Sequence, residues 1–285
     1  MTLKVAIPDT SLIDCTDLRQ KTVKVGQIAR ALAIFRVDQI LVYSTGKLSS
    51  AQKRDAELIM KILRFMDIPQ YLRRRVFPRS PSLQYAGLLP PLRTRSHPLQ
   101  SRISDLSVGS LRWGIQVRPG KIDLGFDELV NFSTILSERD PTLFKVESAS
   151  PYLSFSVVDR SKAPIYWGFE VGHAENLVTL LEESKMMTRV GFSRKAPLFA
   201  NLENDLRSTV SNTGSVLAIF GDPTSGILEI FDSQRDDVKS HIDFWVNSID
   251  GQGSETVRLE EAVFVCLGLL NNSVGKIITR SGYYD

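Results

Sequence analysis

The sequence predicts an α/β protein: a parallel sheet with helices on both faces, interrupted by a small β-barrel insert. Three observations carry this expectation. Strand-like and helix-like runs alternate at both ends of the chain, prolines crowd residues 77–99, and short β-rich runs separated by turn residues fill the middle.

Val5–Ile7 reads as a short strand, after which Val25, Ile28, Ala29, Leu32 and Phe35 recur at helical spacing. Gln39–Tyr43 is a buried-strand run, and Ala51–Phe65 an amphipathic helix with Leu58, Ile62, Leu63 and Phe65 toward the core. Such alternation belongs to a parallel sheet, because parallel neighbours need a crossover between them. Pro78, Pro81, Pro90, Pro91 and Pro98 then exclude a regular helix, since each lacks an amide donor. Ser110–Val117, Lys121–Phe126, Glu128–Ile135, Leu143–Val146, Tyr152–Val158 and Ile165–Val171 read as strands divided by turns. Their number and spacing suggest a barrel or sandwich about the size of an OB-fold.

From Gly172 the α/β rhythm returns. Leu177, Leu180 and Leu181 mark a helix, Thr188–Phe192 a strand, and Leu198, Leu202 and Leu206 another helix. The strands Val216–Phe220 and Phe244–Ile249 follow, then a last helix with Glu260 and Glu261 near its start, where the helix dipole favours acidic groups. Its stretch Ala262–Leu267 is apolar on every side, which predicts full burial. Residues 1–92 and 172–285 are therefore read as two parts of one α/β domain, and 93–171 as an OB-like insert.

Composition narrows the function classes. The chain has 285 residues, 42% hydrophobic and 24% charged, which suits a globular protein of two domains. Cys15 and Cys266 stand far apart, which excludes a disulfide scaffold and a cysteine zinc site and fits a reducing compartment. His97, His173 and His241 lack ligand spacing, so no metal is expected. No signal peptide is visible before Leu3–Ile7, and the apolar run Ala262–Leu270 is too short to cross a bilayer. A soluble, cytoplasmic protein without a membrane partner is expected. Arg64, Arg73, Arg74, Arg75, Arg79, Arg93, Arg95 and Arg102 are opposed over that stretch by Asp67 alone, although the whole chain carries only +3. Arginine's planar fork suits phosphate, so the segment reads as a polyanion contact or, alternatively, as a solvated face.

Two strand-to-helix turns are candidate ligand loops. Phe220-Gly221-Asp222-Pro223 follows a strand at the edge where open α/β sheets bind ligands, and Gly221 lets a ligand approach the backbone. Asn247 through Arg258 contains Gly251 and Gly253, whose freedom would expose amides and carbonyls to an adenine or a carboxylate. The plainer alternative is a pair of tight turns. The spacing Gly251-x-Gly253-x-x-Thr256 is a weak match to a dinucleotide fingerprint: it closes its domain and lacks the acidic residue expected about 20 positions later, which argues against a Rossmann dehydrogenase.

At these residues the chain resembles the RNA uridine-N3 methyltransferase branch of the SPOUT superfamily. The resemblance rests on Gly26–Phe35, Pro69–Arg73, Leu83–Leu89, Tyr166–Gly168, Val216–Gly221, Trp245–Asn247, Gly251–Ser254 and Arg258–Ala262, in the same order. It implies a C-terminal trefoil knot, a homodimer, and S-adenosylmethionine as the cofactor. The implied cofactor cradle is Phe220, Gly221, Asn247, Ile249, Gly251, Gln252, Gly253, Thr256, Val257, Glu261 and Ala262, mostly through backbone groups. A bulky residue at Gly251 or Gly253 is then expected to abolish cofactor binding without unfolding the protein.

Methylating an imide nitrogen such as uridine N3 also removes its proton, and a fixed guanidinium would stabilise the charge that spreads over the ring oxygens. Arg30, Arg194 and Arg258 are the catalytic candidates, each with an ion pair or helix-end contact as its structural alternative. Asp250 and Glu255 are the nearest candidates for a base. Arg73, Arg74, Arg75, Arg93 and Arg95, with the insert, would contact RNA. An idle RNA-binding dimeric scaffold and a SPOUT protein methyltransferase are the alternatives. The complete Gly251–Ala262 loop argues against the first, and the arginine-rich segment against the second.

Overall fold

The structure is a computed structural model that describes residues 2–46, 48–99, 102–137, 140–150 and 152–278. In chain order it forms β1 (Thr2–Pro8), α1 (Leu18–Ile34), β2 (Gln39–Tyr43), α2 (Ser50–Asp67), α3 (Gln70–Val76), β3 (Leu111–Arg118), β4 (Lys121–Asp123), β5 (Val130–Asn131), β6 (Thr142–Ser148) and β7 (Ser154–Val157). There follow β8 (Glu170–Ala174), α4 (Leu177–Glu183), β9 (Thr188–Phe192), α5 (Phe199–Thr213), β10 (Ser215–Ile219), α6 (Ile227–Ile230), α7 (Arg235–His241), β11 (Phe244–Val246) and α8 (Leu259–Ile278). The chain divides into two units. The first comprises Met1–Arg64, Tyr85–Pro91 and Phe169–Arg280; the second comprises Phe65–Gln84 and Leu92–Gly168, with Ser281–Asp285 outside the described residues.

The first unit is built on a six-stranded parallel sheet in the order β11-β9-β10-β1-β2-β8. β1 is central, with Val5 opposite Ala218 on one side and Ile40 on the other. Val5, Ala6 and Ile7 are completely buried, as expected where helices cover both faces. The right-handed crossover rule assigns those helices. The steps from β1 to β2 and from β9 to β10 run one way along the sheet, which puts α1 and α5 on one face. The steps from β8 to β9 and from β10 to β11 run the other way, which puts α4, α6 and α7 opposite. The packing agrees: Leu177, Leu180, Ile227, Phe231 and Val238 share a core with Ala6, Leu41, Leu217 and Ile219. α8 lies against α1 and α5. Asp17 caps α1 by accepting from the Gln20 amide at 2.8 Å, and α5 stops at Gly214, whose φ of +64° lets its amide return to Val210.

Two expectations are corrected in this unit. The strand read at Ile165–Val171 does not form; β8 starts at Glu170 and pairs with β2. Gly168 explains the break, because its φ is +89° and a Cβ there would collide with the Asp67 carboxylate. The last helix is not buried all round: Val263, Leu267 and Leu270 are fully buried, but Phe264 is 48% and Val265 36% exposed. The apolar run belongs to a helix of 20 residues, long and apolar enough by composition to cross a bilayer, whose buried face is packed within this unit.

The second unit carries a five-stranded antiparallel sheet in the order β5-β4-β3-β6-β7. Ile68 and Leu72 join Trp113, Ile115, Leu143 and Trp167 in one core cluster, so residues 65–84 group with this unit rather than with the α/β part. A second cluster gathers Ile122, Leu124, Val130 and Phe144. The run read at Glu128–Ile135 yields only the short β5. Arg112 is buried, with its guanidinium 4.8 Å from the Tyr71 ring centroid and 4.2 Å from that of Phe126.

Candidate active site

Ligands of open α/β sheets sit beyond the carboxyl ends of the strands, where the strand order reverses. β9 and β10 are neighbours, yet the next strand, β11, pairs on the far side of β9. The loops leaving these three strands therefore converge. Phe192–Lys195, Phe220–Gly226 with Glu229, Val246–Ile249, Gln252, Thr256 and Val257 surround a cleft of about 210 Å³, floored by Leu259, Ala262 and Cys266 of α8.

Short contacts fix these walls. The Asn247 amide donates to the Pro197 carbonyl at 2.8 Å, and the Phe199 amide to the Asn247 carbonyl at 2.8 Å. The Asn247 side chain donates to the Arg194 carbonyl at 3.1 Å and accepts from the Ile249 amide at 3.0 Å. One residue thus joins two loops. Phe192 and Phe220 stack with centroids 5.0 Å apart. The Tyr43 hydroxyl, whose pKa burial raises well above its usual value, donates to the Phe220 carbonyl at 2.5 Å. Asp222 braces its own turn: Oδ1 accepts from the Thr224 and Ser225 amides at 2.8 and 2.7 Å, and Oδ2 from the Thr10 hydroxyl at 3.1 Å. A Cβ on Gly221 would lie 2.6 Å from the Ser225 carbonyl oxygen and 3.0 Å from the Ile227 nitrogen. Burial pushes the Cys266 thiol up to about 12, so it stays protonated.

Of the residues singled out from sequence, the cleft gathers Phe220, Gly221, Asn247, Ile249, Gln252, Thr256, Val257, Ala262 and Arg194. Gly251, Gly253, Glu261, Arg30 and Arg258 are not in its lining. A Cβ on Gly251 or Gly253 would meet nothing within 4 Å, so a steric reason for glycine exists at Gly221 instead; Gly251 has only its φ of +55°. Glu261 accepts from the Arg258 amide at 3.0 Å, a helix-start contact. Arg30 and Arg258 meet at a second cleft of about 640 Å³, with Gln27, Ile34, Pro90, Glu260, Glu261, Phe264 and Val265. There Arg30 donates to the Pro91 carbonyl at 3.0 Å, and Gly26 lies where a Cβ would come within 2.9 Å of Leu89. Sequence reasoning passed over Phe192, Ser225 and Glu229 as site residues and named Asp222 only as part of its turn. The Asp-Pro-Thr-Ser run was a usable signal for a turn held by its own aspartate.

The arginine set is divided. In the second unit Arg73 donates to the Ile68 and Met66 carbonyls at 2.9 and 3.2 Å, capping the end of α2, and burial lowers its pKa to about 10. Arg75 pairs with Asp123. Arg73 is held within the fold; Arg75 is exposed although paired, and Arg74, Arg93 and Arg95 are exposed as well. Among the described residues no cluster of three or more His, Cys, Asp or Glu side chains is placed to hold a metal.

The chain has relatives along its whole length. An uncharacterized protein of Halobacterium salinarum is 30% identical over 291 residues, covering 95% of this chain and 99% of its own. An uncharacterized protein of Haloarcula marismortui is 29% identical over 287 residues, with the same coverage of 95% and 99%. The 28S rRNA (uridine-N(3))-methyltransferase of Homo sapiens is 29% identical over 312 residues, covering 94% of this chain and 77% of that protein. Residues 2–270 match the family described as "Putative RNA methyltransferase", and the chain therefore belongs to that RNA methyltransferase family and is an enzyme of its kind.

Proposed function

We propose that the chain methylates N3 of a uridine in ribosomal RNA, with S-adenosylmethionine as donor, and that it works as a homodimer. The observation that carries this reading is the cleft at the carboxyl ends of β9, β10 and β11. Its chemistry suits that donor: an apolar floor from Val246, Leu259 and Ala262 for a flat base, and a charged rim at Lys195 and Glu229. When bound, the donor supplies an electrophilic methyl group; the chain's part is to hold donor and acceptor in line and stabilise the uridine anion. The base follows from the human relative's stated substrate.

Arg194, on the rim of the cleft, is the guanidinium best situated for the anion, whereas Arg30 and Arg258 line the second cleft. That second cleft supports the dimer, because Ile34, Phe264 and Val265 are exposed apolar side chains on α1 and α8. A trefoil knot is supported by the order of strands. After β10 the chain crosses one face as α6 and α7, pairs beyond β9 as β11, and then runs along the opposite face as α8. The antiparallel five-stranded unit, with Arg74, Arg93 and Arg95 exposed, is read as an OB-like RNA grip. Two unpaired cysteines support a reducing, cytoplasmic setting.

The test is methyl transfer from labelled S-adenosylmethionine to ribosomal RNA that lacks the modification, with nucleoside mass spectrometry of the product. Label in 3-methyluridine is expected. Label in another nucleoside overturns the position, label in protein overturns the substrate class, and no transfer favours the idle scaffold.

A further inference from the structure

We infer that Lys195 and Glu229 form the docking pair for the zwitterionic amino-acid end of the methyl donor, and so set the cleft's preference for a donor carrying both charges. This rests on the donor reading above and assigns residues to it.

The charged side chains that line the cleft are Arg194, Lys195, Asp222 and Glu229. Two of them have other duties. Asp222 uses Oδ1 on the Thr224 and Ser225 groups and Oδ2 on the Thr10 hydroxyl. Arg194 donates to the Glu255 carbonyl at 2.9 Å, which holds the 247–258 loop. Lys195 and Glu229 meet only across the cleft rim, one from the loop after β9 and the other from α6 after β10, with Nζ and Oε1 2.5 Å apart. Their side chains are 70% and 48% exposed. An ion pair this open adds little to stability, so the fold has no strong need of it.

The two partners are held differently. Glu229 is anchored, because its second oxygen accepts from the Gly226 amide at 2.8 Å. Lys195 is more exposed and sits on a flexible four-carbon stem. A fixed carboxylate facing a mobile ammonium suits a ligand end that carries an ammonium and a carboxylate on one carbon. When that end inserts, its ammonium pairs with Glu229 and its carboxylate with Lys195. Charges then alternate and none is left without a partner, the condition under which closing charges into a cleft is tolerable. A ligand with only one of the two charges leaves one partner unmatched.

Calorimetric titration of the full chain with S-adenosylhomocysteine, which has the amino-acid end, and 5′-methylthioadenosine, which lacks it, provides the test. The variants are Lys195→Ala, Glu229→Gln (which keeps an acceptor for the Gly226 amide) and the exchange Lys195→Glu with Glu229→Lys. Each single change is expected to weaken S-adenosylhomocysteine about tenfold or more while leaving 5′-methylthioadenosine unchanged, with partial recovery in the exchange variant. Equal weakening of both ligands, or no selective weakening, overturns the inference while leaving the donor reading intact. Failure of the unaltered chain to bind either ligand overturns the donor reading and the inference with it.

Discussion

Gly221→Ala is the substitution on which the geometry of the cleft bears most directly. The added Cβ would stand 2.6 Å from the Ser225 oxygen, 3.0 Å from the Ile227 nitrogen and 3.1 Å from the Gly226 carbonyl carbon. All three are backbone atoms, which cannot swing aside as a side-chain tip can, and comfortable separations are about 3.5–4.0 Å. The turn must therefore open. Overpacking of this kind costs about 1–3 kcal/mol. If the turn relaxes by moving, a ligand must restore it at the same cost, which corresponds to donor binding weakened about 5- to 150-fold. Gly253→Ala is the matched control, because its Cβ meets nothing within 4 Å and its φ is not in the left-handed region. Calorimetry with S-adenosylmethionine, paired with thermal melting, reads both effects. Gly221→Ala binding the donor as well as the unaltered chain, or Gly253→Ala losing more than Gly221→Ala, would refute the reasoning.

Three further outcomes are expected. Lys24 is 4% exposed in its side chain and stands 2.6 Å from Asp14 and 3.5 Å from Glu260; Lys24→Met leaves both carboxylates without their cation and should cost roughly 3 kcal/mol in urea unfolding. Burial lowers the His97 pKa below its ordinary 6.5, so near that pH the unfolded chain takes up a proton that the folded chain refuses. Stability should therefore fall as pH drops through about 6.5, and denaturant midpoints at pH 7.5 and 5.5 should converge in His97→Asn. On the proposed homodimer, Phe264→Glu adds a charge to the exposed apolar face of α8 and should shift sedimentation toward the monomer while leaving the melting temperature within a few degrees; an unaltered chain that sediments as a monomer, or a variant that sediments as the unaltered chain does, would remove this face as an interface.

The parallel sheet was legible because strands buried on both faces must be apolar throughout, and Gln39–Tyr43 and Thr188–Phe192 stand at the very bounds read from sequence. The short helices α6 and α7 were not read: α6 has only 4 residues, and α7, unlike the leucine-marked α4 of equal length, carries a single buried apolar residue, Val238, so neither displays a helical period. β8 was misplaced for a different reason. Residues 165–171 carry a strand-like composition, but Gly168 turns the chain within them, and the aromatic residues before it serve the core of the second unit. For α8, composition alone cannot separate an apolar residue that faces the core from one such as Phe264 that does not. At the site, Phe220 and Asn247 were recoverable because they lie on loops at strand ends, whereas Ala262, on α8, came only with the family resemblance. Which glycine is sterically required was not recoverable: it depends on carbonyl and amide positions that only the folded turn defines.

A crystal structure with S-adenosylhomocysteine tests the account at its centre. The ligand is expected in the cleft bounded by Phe192–Lys195, Phe220–Gly226 and Val246–Val257, with its amino-acid end at Lys195 and Glu229. A ligand seated at another edge of the sheet, or a cleft that stays empty at saturating ligand, would contradict it.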